Sequence, residues 1–259
     1  MVADIERMAT GAPPWRHLMI RQGRCEWNEG VLRLEVAGAR ARALAYADAQ
    51  IDDYQPRRRP RFIRRPPLRL RVRARFSHPA GGIRGTAGFG FWNYPIATPL
   101  RLPRAIWFFY ASPPADLPLA QGVPGHGWKA AVIDAGRPQA LALLPLAPLV
   151  VPLLHAPALY RGLYPLIQRA VGVAETLVHA PMDHWHEYVI EWGHRASRFL
   201  VDGRVVLDEA PSPRGPLCFV SWVDNQYLVV TPQGRVRWGL LDVPERQWLE
   251  LAAVDLEAG

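Results

Sequence analysis

From Leu68 to Phe76, apolar residues alternate without a break with four arginines, Arg69, Arg71, Arg73 and Arg75. A period of two sends successive side chains to opposite faces, so only an extended strand can bury Leu68, Leu70, Val72, Ala74 and Phe76 together. Four guanidinium groups cannot be buried unpaired. The arginine face must therefore be solvated or matched by acids on a neighbouring strand.

That strand needs partners, and the chain offers them. Arg24–Trp27 and Val31–Val36 read as a strand pair joined at Asn28-Glu29-Gly30, and Ala43–Ile51 as a further strand ending at Asp52-Asp53. The same pattern predicts strands at Phe89–Tyr94, Ala105–Tyr110 and Gly127–Asp134. After Pro181 it returns at Trp185–Trp192 and Arg198–Val201, then past the hairpin turn Asp202-Gly203 at Arg204–Leu207. Leu217–Val223, Tyr227–Thr231, Arg235–Leu240 and Trp248–Leu256 complete the set. The 26 prolines and 21 glycines suit many short strands joined by tight turns. A length of 259 residues without repeat or linker is read as one domain, 1–259.

The formal charge of +8 is carried almost wholly by arginine, since Lys129 is the only lysine. The positive run from Arg57 divides into a loop rich in arginine and proline, ending at Pro67, and the strand above. A solvated strand face accounts for most of the run, so nucleic acid is not an expected partner. Cys25 and Cys218 lie too far apart for a zinc motif or a disulfide framework. The first residues, Met1 to Trp15, carry Asp4, Glu6 and Arg7 without an apolar signal core, which predicts a cytoplasmic protein. No cofactor is expected.

One segment departs from the strand pattern. Between about 139 and 180 the chain is dominated by leucine, alanine, valine and proline, and it is almost uncharged from Gln139 to Tyr160. Pro145, Pro148, Pro152 and Pro157 break it too often for a membrane-spanning helix. It reads as an insertion of short helical turns followed by an amphipathic helix near Tyr164–Val178. Three roles stay open: a cap on the core, a lid over a cleft, or a peripheral membrane patch through 139–178.

Several constellations bear on chemistry. The glycines from Gly81 to Gly90 match no phosphate-binding fingerprint, and a strand rather than a helix follows them. His184 and His186, with Glu191 beyond, match the His-x-His-x₄-Glu core of the cupin metal motif, but Glu191 has the parity of the opposite face. Asp224-Asn225-Gln226-Tyr227 is either a turn that satisfies its own backbone or a polar set at a cleft rim. Trp92, Trp107, Trp128, Trp185, Trp192 and Trp222 all fall on predicted strands, where an exposed ring can stack on a sugar or another flat ligand.

Trp185-His186-Glu187-Tyr188-Val189-Ile190-Glu191-Trp192, followed by Phe199-Leu200-Val201-Asp202-Gly203, resembles the W-x-x-Y-x-I-E-W and F-x-V-D-G hairpin of concanavalin A-like domains. Within that superfamily it resembles family 16 glycoside hydrolases especially. Gly88-Phe89-Gly90-Phe91-Trp92 is similar to the aromatic strand that leads into their catalytic strand. The resemblance implies an all-β jelly-roll sandwich with a concave carbohydrate cleft. The family's Glu-x-Asp-x-x-Glu pattern, however, has no counterpart between Phe91 and Asp183. Glu187 and Glu191 share a face but stand roughly 13 Å apart along a strand, against about 5–5.5 Å for a retaining pair.

The reading that results is a concanavalin A-like jelly-roll β-sandwich with a mainly apolar, partly helical insertion. It is expected to bind a carbohydrate or a hydrophobic small molecule without catalysis, and no catalytic residues are assigned. Trp92, Asn93, Trp107, Trp128, Glu187, Trp222, Asp224 and Asn225 are the expected ligand contacts. A glycoside hydrolase with rearranged carboxylates and a metal enzyme using His184 and His186 are the alternatives.

Overall fold

The structure, a computed structural model, describes residues 15–42, 45–54, 61–95 and 101–259. Along the chain the strands are β1 (Arg16–Ile20), β2 (Gly23–Asn28), β3 (Val31–Val36), β4 (Asp48–Asp52), β5 (Leu68–Phe76), β6 (Thr86–Trp92), β7 (Arg104–Ala111) and β8 (Gly127–Asp134). Helices α1 (Pro138–Leu143), α2 (Ala147–Leu153) and α3 (Pro157–Val171) follow, with a 3₁₀ turn at Leu144–Leu146. The remaining strands are β9 (Ala174–Leu177), β10 (His186–Trp192), β11 (Ala196–Val201), β12 (Arg204–Pro211), β13 (Cys218–Asp224), β14 (Gln226–Val230), β15 (Val236–Leu240) and β16 (Gln247–Ala258).

Two antiparallel sheets of seven strands take up all but β14 and β15, which form a hairpin of their own. Sheet A runs β1-β4-β13-β6-β7-β8-β9, and sheet B runs β12-β11-β10-β5-β16-β3-β2. Alternation decides what lies between them. Phe89 and Phe91 of β6, Phe108 and Tyr110 of β7 and Trp128 of β8 meet Val72 and Phe76 of β5 and Tyr188, Ile190 and Trp192 of β10 in one continuous core. In β16 the register with β5 slips between Leu251 and Ala253. The extra residue lets Leu249, Leu251 and Val254 all reach the core although their spacing changes.

The arginine face of β5 is matched rather than bare. Arg75 and Arg33 both bond the nearly buried carboxylate of Glu250, at 2.7 and 2.6 Å. Arg71 lies 3.8 Å from Glu187 and Arg69 3.8 Å from Glu191. Trp248 and Trp185 intercalate, with Arg33 5.0 Å and Arg75 5.4 Å from the Trp248 ring, and Arg75 4.8 Å and Arg73 5.5 Å from Trp185.

The proline-rich segment forms helices where expected, with Pro138 and Pro157 in first turns, where no amide donor is lost. The long helix differs from expectation. It begins at Pro157 rather than Tyr164 and stops at Val171, because Gly172 adopts φ 63° and caps it, its N–H bonding the Arg169 carbonyl. Residues 174–177 are therefore the edge strand β9. β6 likewise starts earlier than expected, inside the glycine-rich stretch, and β1 was not foreseen. The expected strand from Ala43 and the loop from Arg57 fall partly outside the described residues, as does nearly all of Met1 to Trp15.

Candidate binding site

Because Ala87, Phe89 and Phe91 point into the core, Thr86, Gly88, Gly90 and Trp92 form the outer face of β6. Register extends that face across sheet A. Gly90 stands beside Val220 and Trp107, and Gly88 beside Trp222 and Phe109. The two glycines leave room for the rings on either side. The tip of Trp222 lies 3.2 Å from where a Gly88 Cβ would sit, and a Gly90 Cβ would come within 2.6 Å of Trp107 Cβ.

The result is a continuous aromatic tract. Ring centroids run Tyr94–Trp92 5.3 Å, Trp92–Trp107 5.8 Å, Trp107–Phe109 5.2 Å and Trp107–Trp222 5.5 Å. Trp92, Trp107 and Phe109 are only half-buried, so their faces remain available. Trp92 donates its ring N–H to the Tyr54 hydroxyl, and Trp222 donates to Thr86 Oγ1 at 2.9 Å. Beyond Tyr54 the tract reaches Phe62, whose ring lies edge-on to Tyr54 and 4.8 Å beneath the Arg101 guanidinium. A surface pocket of about 420 Å³ lies there, lined by Arg61, Phe62, Ile63, Arg65, Arg101 and Pro216.

Buried polar clusters flank the tract. On the β4 side Asp48, Gln50 and Asp52 share the outer face with Trp222 and Asp224 of β13. Asp52 is held by Nε and Nη2 of Arg16, at 2.9 and 2.8 Å, and by Gln50 Nε2 at 2.6 Å. Asp224 faces Asp48 in register and accepts from the Thr86 amide and hydroxyl and from the Gln226 amide, at 3.0, 2.8 and 3.1 Å. Burial outweighs those donors and raises the Asp224 carboxyl to about 7. Asp48 is pushed well above the usual range by burial and then by the charge of Asp224. On the β8 side Lys129 is buried against Glu175 of β9, with Nζ 2.9 Å from Oε2. The same ammonium donates to the carbonyls of Leu117 and Pro124, at 3.1 and 2.9 Å, fastening the loop after β7 over this flank.

At one end of the face two strand exits meet. β13 passes into β14 at Asp224, and β7 leaves the same end at Ala111. The exits join where the Asp116 amide bonds the Leu228 carbonyl at 3.1 Å and the Val230 amide bonds the Asp116 carbonyl at 2.9 Å. Helix α3 braces the loop after β7, as Tyr164 donates to the Leu119 carbonyl at 2.9 Å.

The structure brings together Trp92, Trp107 and Trp222 of the residues expected to contact a ligand. Asn93, Asp224 and Asn225 are all buried: Asp224 is on the same face as Trp222 but enclosed by Thr86 and Gln226, and Asn93 and Asn225 are bonded to backbone. Asn93 ties Leu102 to Arg104, and Asn225 ties Ala47 to Leu241. Trp128 points the other way, into the core among Phe76, Phe89, Phe108 and Tyr188. Glu187 lies on the outer face of sheet B beside Arg71, a sandwich thickness away from the tract. Tyr54, Tyr94, Phe62 and Phe109 were not singled out from sequence. Of these only Phe109 had a usable signal, its even spacing from Trp107 on one strand.

The outer positions of β7 are Ala105, Trp107 and Phe109, and those of β8 are Lys129, Ala131 and Ile133, none of them acidic. Of the histidines, His186 is engaged by Asp202 at 2.6 Å and by the Pro181 carbonyl at 3.0 Å, and Glu191 is on the opposite face of β10. Among the described residues no group of three metal-ligating side chains is gathered.

No family model matches this chain, and no curated protein matches its sequence. Solved structures do. An endo-β-galactosidase from Clostridium perfringens that releases GlcNAcα1-4Gal superposes on 92% of the chain with a TM-score of 0.51 at 11% identity. The fold is the concanavalin A-like jelly roll. This jelly roll spans 58% of the length of that galactosidase. It is also similar to the Bacillus licheniformis β-glucanase, at 11% identity and a TM-score of 0.49, covering 95% of this chain and 92% of that one. The carbohydrate-binding module CBM66 from Bacillus subtilis is similar at 10% identity and 0.45, covering 97% and 99%.

Proposed function

We propose that this jelly roll binds a carbohydrate on the aromatic tract of sheet A, without hydrolysing it. The observation that carries the reading is the half-open run of Tyr94, Trp92, Trp107 and Phe109 lying beside the two glycines of β6. Sugar rings present C–H faces that stack on such aromatic surfaces, and hydroxyls at their edges take hydrogen bonds. The galactosidase of the same fold acts on a glycan, which agrees with this use of the sheet. Titration of the chain with a panel of oligosaccharides, followed by tryptophan fluorescence and calorimetry, tests the reading. Binding is expected that Trp107→Ala weakens about tenfold or more, the order of a lost aromatic contact. A chain that binds no glycan of the panel overturns it.

Hydrolysis by rearranged carboxylates has one observation in its favour, the in-register pair Asp48 and Asp224, both with raised pKa. Their complete burial and the backbone amides spent on Asp224 fit a clamp between β13, β6 and β14 better. Release of reducing sugar that disappears in Asp48→Asn would favour the enzyme.

A further inference from the structure

A second surface of the molecule is apolar without being buried. From Ala135 to Ala174 the sequence holds no aspartate or glutamate and three arginines, Arg137, Arg161 and Arg169. The segment buries Ala140 of α1 and Leu154 after α2, but α2 and α3 themselves fully bury none of their residues. Leu149 is 70% exposed, and six more leucines between Leu141 and Leu166 are 40–57% exposed. Isolated exposed leucines are ordinary, but seven within one short helical segment form a patch that needs a partner.

The β14–β15 hairpin continues that surface. Gln226–Leu240 also lacks any acidic residue and carries Arg235 and Arg237. Val236 is 70% exposed and Trp238 57%. The two elements touch, for Gln233 Nε2 lies 3.4 Å from the Leu154 carbonyl, and a Cβ on Gly234 would sit 2.8 Å from Val151 Cγ1. The exposed leucines of the helices and the hairpin bearing Val236 and Trp238 thus adjoin, while Arg235 and Arg237 alternate with those two residues and leave β15 on its other side. Among the described residues no helix is long and apolar enough to cross a membrane.

We propose that this face docks on an anionic lipid surface. The leucines of α1 and α2 enter the boundary between headgroups and acyl chains together with Val236 and Trp238. Arg137, Arg161 and Arg169 of the helical segment pair with lipid phosphates and acidic headgroups, and Arg235 and Arg237 reach them with their long side chains from the edge of the hairpin. Apolar side chains with arginine around them and tryptophan at the margin are the composition of interfacial segments. Charge argues against a second copy in the same place. A two-fold contact through the helices would set Arg137, Arg161 and Arg169 against their equals, with no carboxylate between Ala135 and Ala174 on either copy to offset them. The proposal stands independently of the carbohydrate reading.

The test is flotation of the full chain with vesicles of phosphatidylcholine, with and without phosphatidylserine, beside size-exclusion chromatography with light scattering. The chain is expected to float with the phosphatidylserine vesicles and to be released by salt of about 0.5 M, where screening shortens the reach of the charges. The pair Arg235→Glu and Arg237→Glu is expected to lower the bound fraction about tenfold or more. Leu149→Glu is expected to do the same, while Val205→Glu, an exposed apolar position on β12, leaves binding unchanged. Circular dichroism confirms that each variant is folded. An intact chain that stays unbound with both vesicle types overturns the proposal. So does binding that Leu149→Glu leaves intact, or a dimer that Leu149→Glu converts to monomer, since a second copy would then cover the face.

Discussion

Lys129, the only lysine of the chain, and Glu175 form an ion pair sealed inside the protein, with Nζ 2.9 Å from Oε2 and both side chains almost without solvent contact. Taking such a pair out of water is costly, and burial alone pushes the Glu175 carboxyl upward while Lys129 opposes it. The pair is held because each member also serves the loop after β7, Lys129 through two carbonyls and Glu175 through the Ala120 amide at 2.7 Å.

Removing one member therefore does more harm than removing both. Lys129→Met is expected to cost about 3–5 kcal/mol in urea unfolding, because it strands a buried carboxylate. Lys129→Met combined with Glu175→Leu should recover most of that loss. A single variant as stable as the parent would show that the loop, not the pair, holds this flank.

The glycines of β6 yield a sharper test of the tract than the rings themselves. Gly90→Val sets a branched side chain where Cβ already meets Trp107 Cβ at 2.6 Å and the Ile106 carbonyl at 2.5 Å. A cost of about 1–3 kcal/mol in stability is expected from the overpacking. Oligosaccharide binding should fall with it, since Trp107 must turn away. Calorimetry on the folded variant reads the second effect separately.

Two buried carboxylates on opposite sheets should leave opposite marks on stability against pH. Asp48 has a raised pKa in the fold, from burial and then Asp224. The folded state then holds the proton longer than the unfolded chain, and stability falls as pH rises above about 4. Asp48→Asn should flatten that fall and raise the unfolding midpoint at pH 8 more than at pH 4. For Glu250 burial raises the carboxyl, but the bonds from Arg33 and Arg75 prevail and hold it below the usual range. Its contribution is present above pH about 4.5 and is lost as pH drops through the lowered folded value. Glu250→Gln should cost stability at pH 7 and little at pH 3. Urea midpoints from pH 3 to 8 would expose either sign if it were reversed.

Much of this fold was legible because burial on one face of a strand writes a period of two into the sequence. β3 and β5 follow that rule closely. β1 and β9 escaped because Arg16–Ile20 and Ala174–Leu177 are edge strands of four or five residues with little contrast between their faces. The site was legible in part. Trp92, Trp107 and Trp222 stand on identifiable strands, but the residues of β8 are apolar on both sides, so alternation could not send Trp128 inward. Glu187 stands on its expected strand, but the sequence does not say which sheet that strand joins, for strand order is set by pairings between residues more than a hundred positions apart. The Lys129–Glu175 pair spans 46 residues of sequence and leaves no local pattern at all.

The arginines at the open end of the tract point to a preference among sugars. Arg61, Arg65 and Arg101 line the pocket beside Phe62, and among the described residues its lining holds no acid. Uronic acid or sulfated oligosaccharides should bind about tenfold tighter than neutral ones of equal length, the order expected for charge-assisted contacts. Arg61→Gln with Arg65→Gln should remove the difference and spare neutral ligands. Equal affinities in the parent chain would show that the pocket plays no part.

The junction of Asp116 with β14 has a consequence for how the two surfaces can be followed. β7, which carries Trp107 and Phe109, and the hairpin that carries Trp238 meet there through two amides. Hydrogen exchange at Asp116 and Val230 should therefore register an occupant on either side.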